Sequence, residues 1–164
     1  MTTYAPAHLT SIPGAVNDLY AKFTTAYPYD QNNQPVYVWF GQQLPSTYSA
    51  PVTIEINGIE PVVRDWATLG PDYRIEEDYS IRCKLTVFTG QGATATDYLN
   101  SMSSVFAVWT ALETVVANDP TLSGNVRVSW FDEVNYEPTT DGSGRACGTI
   151  TWVVRCQARV TTLS

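Results

Sequence analysis

The stretch YRIEEDYSIRCKLTVFT, residues 73–89, decides the fold. Its odd positions Ile75, Tyr79, Ile81, Cys83, Leu85 and Val87 are apolar, whereas Arg74, Glu76, Asp78, Ser80, Arg82 and Lys84 are polar. A period of two places one face of a long strand in a core and leaves the other solvated or facing a partner. Such a strand needs neighbours of matching alternation and a layer to cover its apolar face.

The flanking sequence supplies both. Val36-Tyr37-Val38-Trp39-Phe40 is dense in β-branched and aromatic residues and reads as a mostly buried strand between Pro35 and Gly41. Val52–Ile56 and Ile59–Val63 flank Asn57-Gly58, a pair favoured where φ is positive, and so predict a hairpin, although Pro61 demotes its second arm. Val126, Val128 and Trp130 alternate with Arg127 and Ser129. In the closing segment Ile150, Trp152, Val154, Cys156, Ala158 and Val160 alternate with Thr149, Thr151, Arg155, Gln157 and Arg159. Both segments read as antiparallel-type strands with one polar face.

Two helices supply the covering layer. Ile12, Val16, Leu19, Tyr20, Phe23 and Tyr27 recur at helical spacing behind Ser11, a cap candidate, and Pro13, a first-turn proline; the helix ends near Tyr27-Pro28. Thr94 to Asp97 has the capping-box spacing. Tyr98, Leu99, Met102, Val105, Phe106, Trp109, Leu112 and Val116 then form an apolar face until Asn118-Asp119-Pro120 stops the helix, about 35 Å along.

The resulting order is helix, three or four strands, long helix, two long strands. It predicts a single α+β domain over 1–164 with one mixed or mainly antiparallel sheet and the helices packed on one face. Residues 1–10 are expected to be flexible or partner-bound. The acidic, turn-rich segment 131–145, with Pro138 and Asp141-Gly142-Ser143-Gly144, is expected to protrude as an arm or long hairpin.

The chain of 164 residues has 44% hydrophobic and 12% aromatic residues, far from the composition of disorder. Nine Lys and Arg against sixteen Asp and Glu give a net charge of −7, which opposes stable docking on phosphate backbones. The opening residues lack the basic and apolar regions of a signal peptide, and no stretch has the length of an apolar membrane span, so a cytoplasm-like compartment is expected. Cys83, Cys147 and Cys156 lack zinc-site spacing and read as buried apolar residues. Cys147 and Cys156, nine apart on one strand, point to opposite faces and cannot bridge there.

No catalytic, cofactor or metal residues emerge. His8 is the only histidine and lies in a Pro- and Thr-rich stretch with no reason to be rigid, so a triad has nothing to stand on. Gly90-Gln91-Gly92 precedes a helix but lacks the lysine and further glycine of a phosphate loop, and a strand-to-helix turn needs no ligand. Glu76, Glu77 and Asp78 are consecutive, so Glu77 faces away from its neighbours; they read as a solvated or subunit-facing strand end rather than an acid/base pair. Asp132, Glu133, Glu137 and Asp141 fall on the arm and lack the ligand pattern of a calcium loop.

Assembly is better supported. Between Tyr98 and Asn118 the only charged side chain is Glu113, and Ser103, Ala107, Thr110 and Thr114 form a stripe of small residues off the apolar face. A solvated helix normally carries more charge, although a weakly charged exposed face explains the stripe equally well. The polar face of the last strand, with Arg155 and Arg159, suits β-augmentation or ring formation.

Further resemblance lies in the order of Ile12-Pro13-Gly14-Ala15-Val16, Val36–Gly41, Trp66 with Leu69-Gly70, Arg74-Ile75-Glu76-Glu77, the Leu99, Phe106, Trp109, Leu112 helix, and Gly148-Thr149-Ile150. In this order and spacing the chain resembles the tail terminator proteins of long-tailed bacteriophages. The resemblance implies a virion protein without an active site: a hexameric ring that caps the tail tube protein, ends tube polymerisation and receives the head-closure or connector protein, with genomic DNA passing transiently through its channel and no membrane partner. The arm, through Tyr136, Glu137, Pro138 and Asp141, is the expected contact to the tube. Another neck component, such as a head-closure or connector adaptor, is the alternative; a ligand-binding or enzymatic domain using surfaces around Trp39, Trp66 and Trp130 is the second.

Overall fold

The computed structural model describes residues 10–27, 33, 36–41, 52–69, 72–88 and 92–162, with backbone alone at 61, 66–69, 72–73 and 161–162. The element order is α1 (Ile12–Ala26), β1 (Tyr37–Phe40), β2 (Val52–Leu69), β3 (Asp72–Phe88), α2 (Ala95–Asn118), β4 (Val128–Thr140) and β5 (Ala146–Thr162). One five-stranded sheet runs β1-β2-β3-β5-β4, with β1 parallel to β2 and every other pair antiparallel. The fold is thus α+β with a single mixed sheet.

β3 is the middle strand, and its alternation holds throughout. Ile75, Tyr79, Ile81, Cys83, Leu85 and Val87 are buried. Beside them β5 buries Ile150, Trp152, Val154, Cys156 and Ala158, and β2 buries Val52, Ile54 and Ile56. Both helices cover this face. Phe23 of α1 meets Trp152 and Phe131 at ring centroid distances of 6.2 and 6.3 Å, and Phe131 meets Trp152 at 5.4 Å.

The expected hairpin at Asn57-Gly58 does not form. Val52–Leu69 is one strand of 18 residues paired to β3 along its length, with register shifts between Ile56 and Gly58 and between Glu60 and Val63. Each shift inserts one residue and exchanges the two faces; two restore the original parity, so Ile54, Ile59 and Arg64 all share the helix-side face with their β3 partners. The Asn-Gly pair makes a bulge because β3 offers a continuous partner on which a tight turn would waste the pairing. The expected burial of residues 36–40 also fails. β1 is a sheet edge, and Tyr37, Trp39 and Phe40 are exposed.

The α2 capping box forms as expected, with Thr94 Oγ1 accepting from Asp97 N and the Asp97 carboxylate accepting from Thr94 N. Its buried side is Ser101, Val105, Val108, Leu112 and Val116, rotated from the expected face, and Leu99 stands 59% exposed. Close approach to β5 fixes that rotation. A Cβ on Gly148 would sit 3.0 Å from Ser101 O and 3.1 Å from Val105 Cγ1, so any larger residue would force the helix to give way by a few tenths of an ångström.

Of the two forms expected for segment 131–145, the structure has the long hairpin and not the arm. β4 pairs with β5 from Val128 opposite Gln157 to Thr140 opposite Ala146, and only the turn at 141–145 projects beyond the strands. A one-residue bulge between Asp132 and Asn135, with Glu133 at φ +53°, exchanges its faces, so Phe131 and Tyr136 both point toward the helices. The expected inward alternation of Val128 and Trp130 is reversed: both are exposed and Ser129 is buried.

Gly148→Ala is expected to destabilise by ~1–3 kcal/mol, since helix backbone must shift to admit the methyl group. Gly142→Ala, with nothing within 4 Å of the added carbon, is expected to stay within about 0.5 kcal/mol of wild type. Urea denaturation of both variants checks the contrast.

Candidate assembly surface

The sheet face turned away from the helices is a lattice of cross-strand ion pairs. Arg82 reaches Glu60 at 2.8 Å, Lys84 lies 3.9 Å from Glu55, and Arg127 and Arg159 converge on Glu76. Arg155 binds Asp132 at 2.7 Å and also Glu133, which holds Asp132 below its usual carboxylate range. Arg155 and Arg159 are therefore engaged within the chain. Lys22, Arg64 and Arg145 are likewise paired, so eight of the nine Lys and Arg side chains have an acidic partner. That distribution leaves little cationic surface for a polyanion.

The helix side differs. All eleven exposed residues of α2 are uncharged, the stripe residues Ser103, Ala107, Thr110 and Thr114 among them. Ser103 and Thr114 donate their hydroxyls to the backbone oxygens of Leu99 and Thr110, so part of the stripe's polarity is spent inside the helix. Tyr136 lies against Phe106 at 5.6 Å, and Pro138, opposite Gly148, shares its face, so these β4 residues adjoin the α2 surface. Glu137, opposite Thr149, is on the other face. The ten expected interface residues therefore fall into three groups: an α2–β4 surface, the ion-pair face, and the hairpin tip.

At that tip, Asp141 accepts from Ser143 N, Ser143 Oγ, Arg145 N and Arg145 Nε, bonds that hold its carboxyl at about 2. These contacts brace a turn. Trp39 and Trp130 lie at opposite edges of the sheet and form no common pocket; the Trp66 side chain lies outside the described residues, as do His8, Gly90 and Gln91. Among the described residues no group of three or more His, Cys, Asp or Glu gathers as a metal site, and no helix is long and apolar enough to cross a membrane.

Glu77, expected on a solvated or subunit-facing strand end, is instead buried within the chain. It is 1% exposed, on the apolar face of β3. Its Oε2 accepts from Ser11 N at 2.8 Å and Ser11 Oγ at 2.7 Å, while Arg64 Nε stands 3.2 Å from Oε1 without hydrogen-bond alignment. Ser11 makes no side-chain cap of its own; Glu77 places a carboxylate at the α1 N-terminus, where the helix dipole favours it. Ser11 Oγ also lies 3.0 Å from the Tyr79 hydroxyl. Burial raises Tyr79 and pushes the Cys156 thiol up to about 12, so neither ionises near neutral pH. The cluster is a clamp between α1 and β3. The signal lay in the alternation itself, because position 77 is odd.

A second clamp joins the helices. Asp119 accepts from Lys22 Nζ at 2.8 Å, Thr121 Oγ1 at 2.7 Å and Ser123 N at 2.9 Å, which together hold its carboxyl well below the usual range. These bonds enforce positive φ at Leu122, Ser123 and Gly124, and Leu122 is fully buried by that turn.

Glu77→Ala is expected to cost ~1–3 kcal/mol by leaving the Ser11 N–H and hydroxyl without their acceptor, with faster amide exchange in the first turn of α1. For Asp119 the folded-state pKa is depressed, so its stabilisation is complete above the ordinary carboxylate pKa and disappears as pH falls through the folded value. Asp119→Ala should therefore melt below wild type at neutral pH, and the gap should close on acidification, as read by melting curves across pH.

No protein-family model matches the chain, and no curated protein is significantly similar to it.

Proposed function

We propose that this chain is a structural, non-enzymatic virion subunit that forms a ring at the end of a bacteriophage tail tube. The ring, taken as hexameric, ends tube polymerisation and presents its other rim to the head connector. The observation that carries the reading is the uncharged outer side of α2: eleven exposed residues without one charge, on a chain of net charge −7. Such a surface costs little to desolvate and suits contact with protein. The sequence resemblance supplies the setting, and the internal pairing of eight cations is compatible with DNA passing through without adhering.

Termination follows from a mismatch of surfaces. One rim completes the exposed groups of the last tube ring, and the other offers the tube protein no further site. Because 139–147 is paired strand and braced turn, excising it would break the sheet; point changes on α2 are the sounder probe. Phages lacking the chain should accumulate tails of abnormal length without heads in electron micrographs, and Thr110→Arg should reproduce that phenotype with a folded protein. Normal virions in its absence would overturn the role. Copurification with filled heads instead of tail tubes would assign the chain to the connector side of the neck.

A further inference from the structure

Asn57-Gly58 forms no turn, and the role proposed above makes no use of it. Asn57 is the inserted residue of a bulge in β2, between Ile56 opposite Cys83 and Gly58 opposite Arg82. It is exposed, and its side-chain amide makes no hydrogen bond among the described residues. A cation lies over the next residue: a Cβ on Gly58 would sit 2.5 Å from Arg82 Nη2 and 3.0 Å from Arg82 Nε. The missing side chain is what lets the guanidinium rest against the backbone there.

We propose that Asn57 is a self-modification site, where the folded chain converts asparagine to aspartate and isoaspartate with the help of Arg82. Water is the only co-reactant. The Gly58 backbone nitrogen loses its proton to solvent and attacks the Asn57 side-chain carbon. A C–N bond forms there, the bond to Nδ2 breaks, and that nitrogen takes up a proton and leaves as ammonia. Water then opens the resulting five-membered imide. Cleavage at the side-chain carbonyl gives aspartate with the original main chain; cleavage at the main-chain carbonyl gives isoaspartate, whose backbone runs through the former side chain. One water is consumed and one ammonia released, with no change of oxidation state.

Negative charge develops at two points, on the nitrogen that loses its proton and on the oxygen of the tetrahedral adduct. A guanidinium held against Gly58 stabilises both. Glu60 pairs with Arg82 at 2.8 Å and tempers this effect, and with the two side chains 57% and 49% exposed, solvent screens the charges.

Other sites lack the combination. Asp141 also precedes a glycine, but its carboxylate is an anion held by four hydrogen bonds, a poor target for a nucleophile. The amides that would attack Asn118 and Asn125 are already donors, Asp119 N to Val116 O at 3.2 Å and Val126 N to Thr121 O at 3.0 Å. Asn17 and Asn100 lie inside α1 and α2, where the following N–H serves the helix. Asn33 and Asn135 precede Gln34 and Tyr136, whose bulk hinders the attacking nitrogen.

Each conversion makes the net charge of −7 one unit more negative. The isoaspartate form also adds a carbon to the β2 backbone, at a point where the ladder is already offset by a residue, so pairing on either side keeps its register. None of this chemistry depends on the tail role.

The test is peptide mapping of the folded full chain held at mildly alkaline pH, which resolves the asparagine, aspartate and isoaspartate forms of the peptide containing residue 57. Asn57 is expected to convert ahead of every other asparagine. Gly58→Ala should slow the conversion at least about tenfold and Arg82→Gln about twofold to fivefold, while Arg82→Lys stays close to wild type and Glu60→Gln exceeds it. Added salt should narrow the differences made by the charge changes. Conversion no faster than at Asn100, conversion only in proportion to the fraction unfolded by urea, or an Arg82→Gln rate equal to wild type would each overturn the proposal. Should Gly58→Ala not fold, the Arg82 and Glu60 variants, changed at exposed side chains, decide the matter without it.

Discussion

The alternation of β3 is the constraint from which the remaining structure follows. A middle strand paired on both sides cannot turn a residue without turning its partners, so every second side chain from Ile75 to Val87 goes beneath the helices. Glu77 is carried inward by that same parity. A lone carboxylate there would be costly, and the fold answers by bringing the N-terminus of α1 to it. The position of α1 is thereby set by electrostatics as well as by the burial of Ala15, Leu19 and Phe23.

The outer strands show how parity is kept where sequence would break it. β2 passes through two one-residue shifts and returns to its original face, while β4 uses one shift to bring Tyr136 inward after Phe131. Bulges absorb residues that an unbroken ladder would place on the wrong side. They also roughen the edges, which, with Pro61 and Pro138, keeps the sheet from extending by hydrogen bonding to another strand.

Legibility in the sequence tracked how local each determinant is. The capping box at Thr94 and Asp97 and the alternation of β3 are complete within short windows, and both hold. Asn57-Gly58 carries a turn preference that pairing with β3 overrides. The α2 face differs from the expected one because side-chain size does not dictate burial: Leu99 and Phe106 are large and exposed. Gly148, thirty residues beyond the end of that helix, is where the strand meets Ser101 and Val105, a contact that no local pattern in the helix reveals. Segment 131–145 reads as an arm or a hairpin because its composition is polar; an edge strand needs only one apolar face, and the Glu133 bulge hides that face's period.

The surface chemistry separates two tasks that a charged protein must reconcile. Cross-strand ion pairs at the exposed face add little to stability individually, and their larger effect is to neutralise nearly every cation within the chain. What remains outward is excess negative charge, which keeps copies apart at long range, within about a Debye length of 8–10 Å. The exposed apolar residues at the sheet edges act only at contact, because the gain from excluding water needs surfaces that touch.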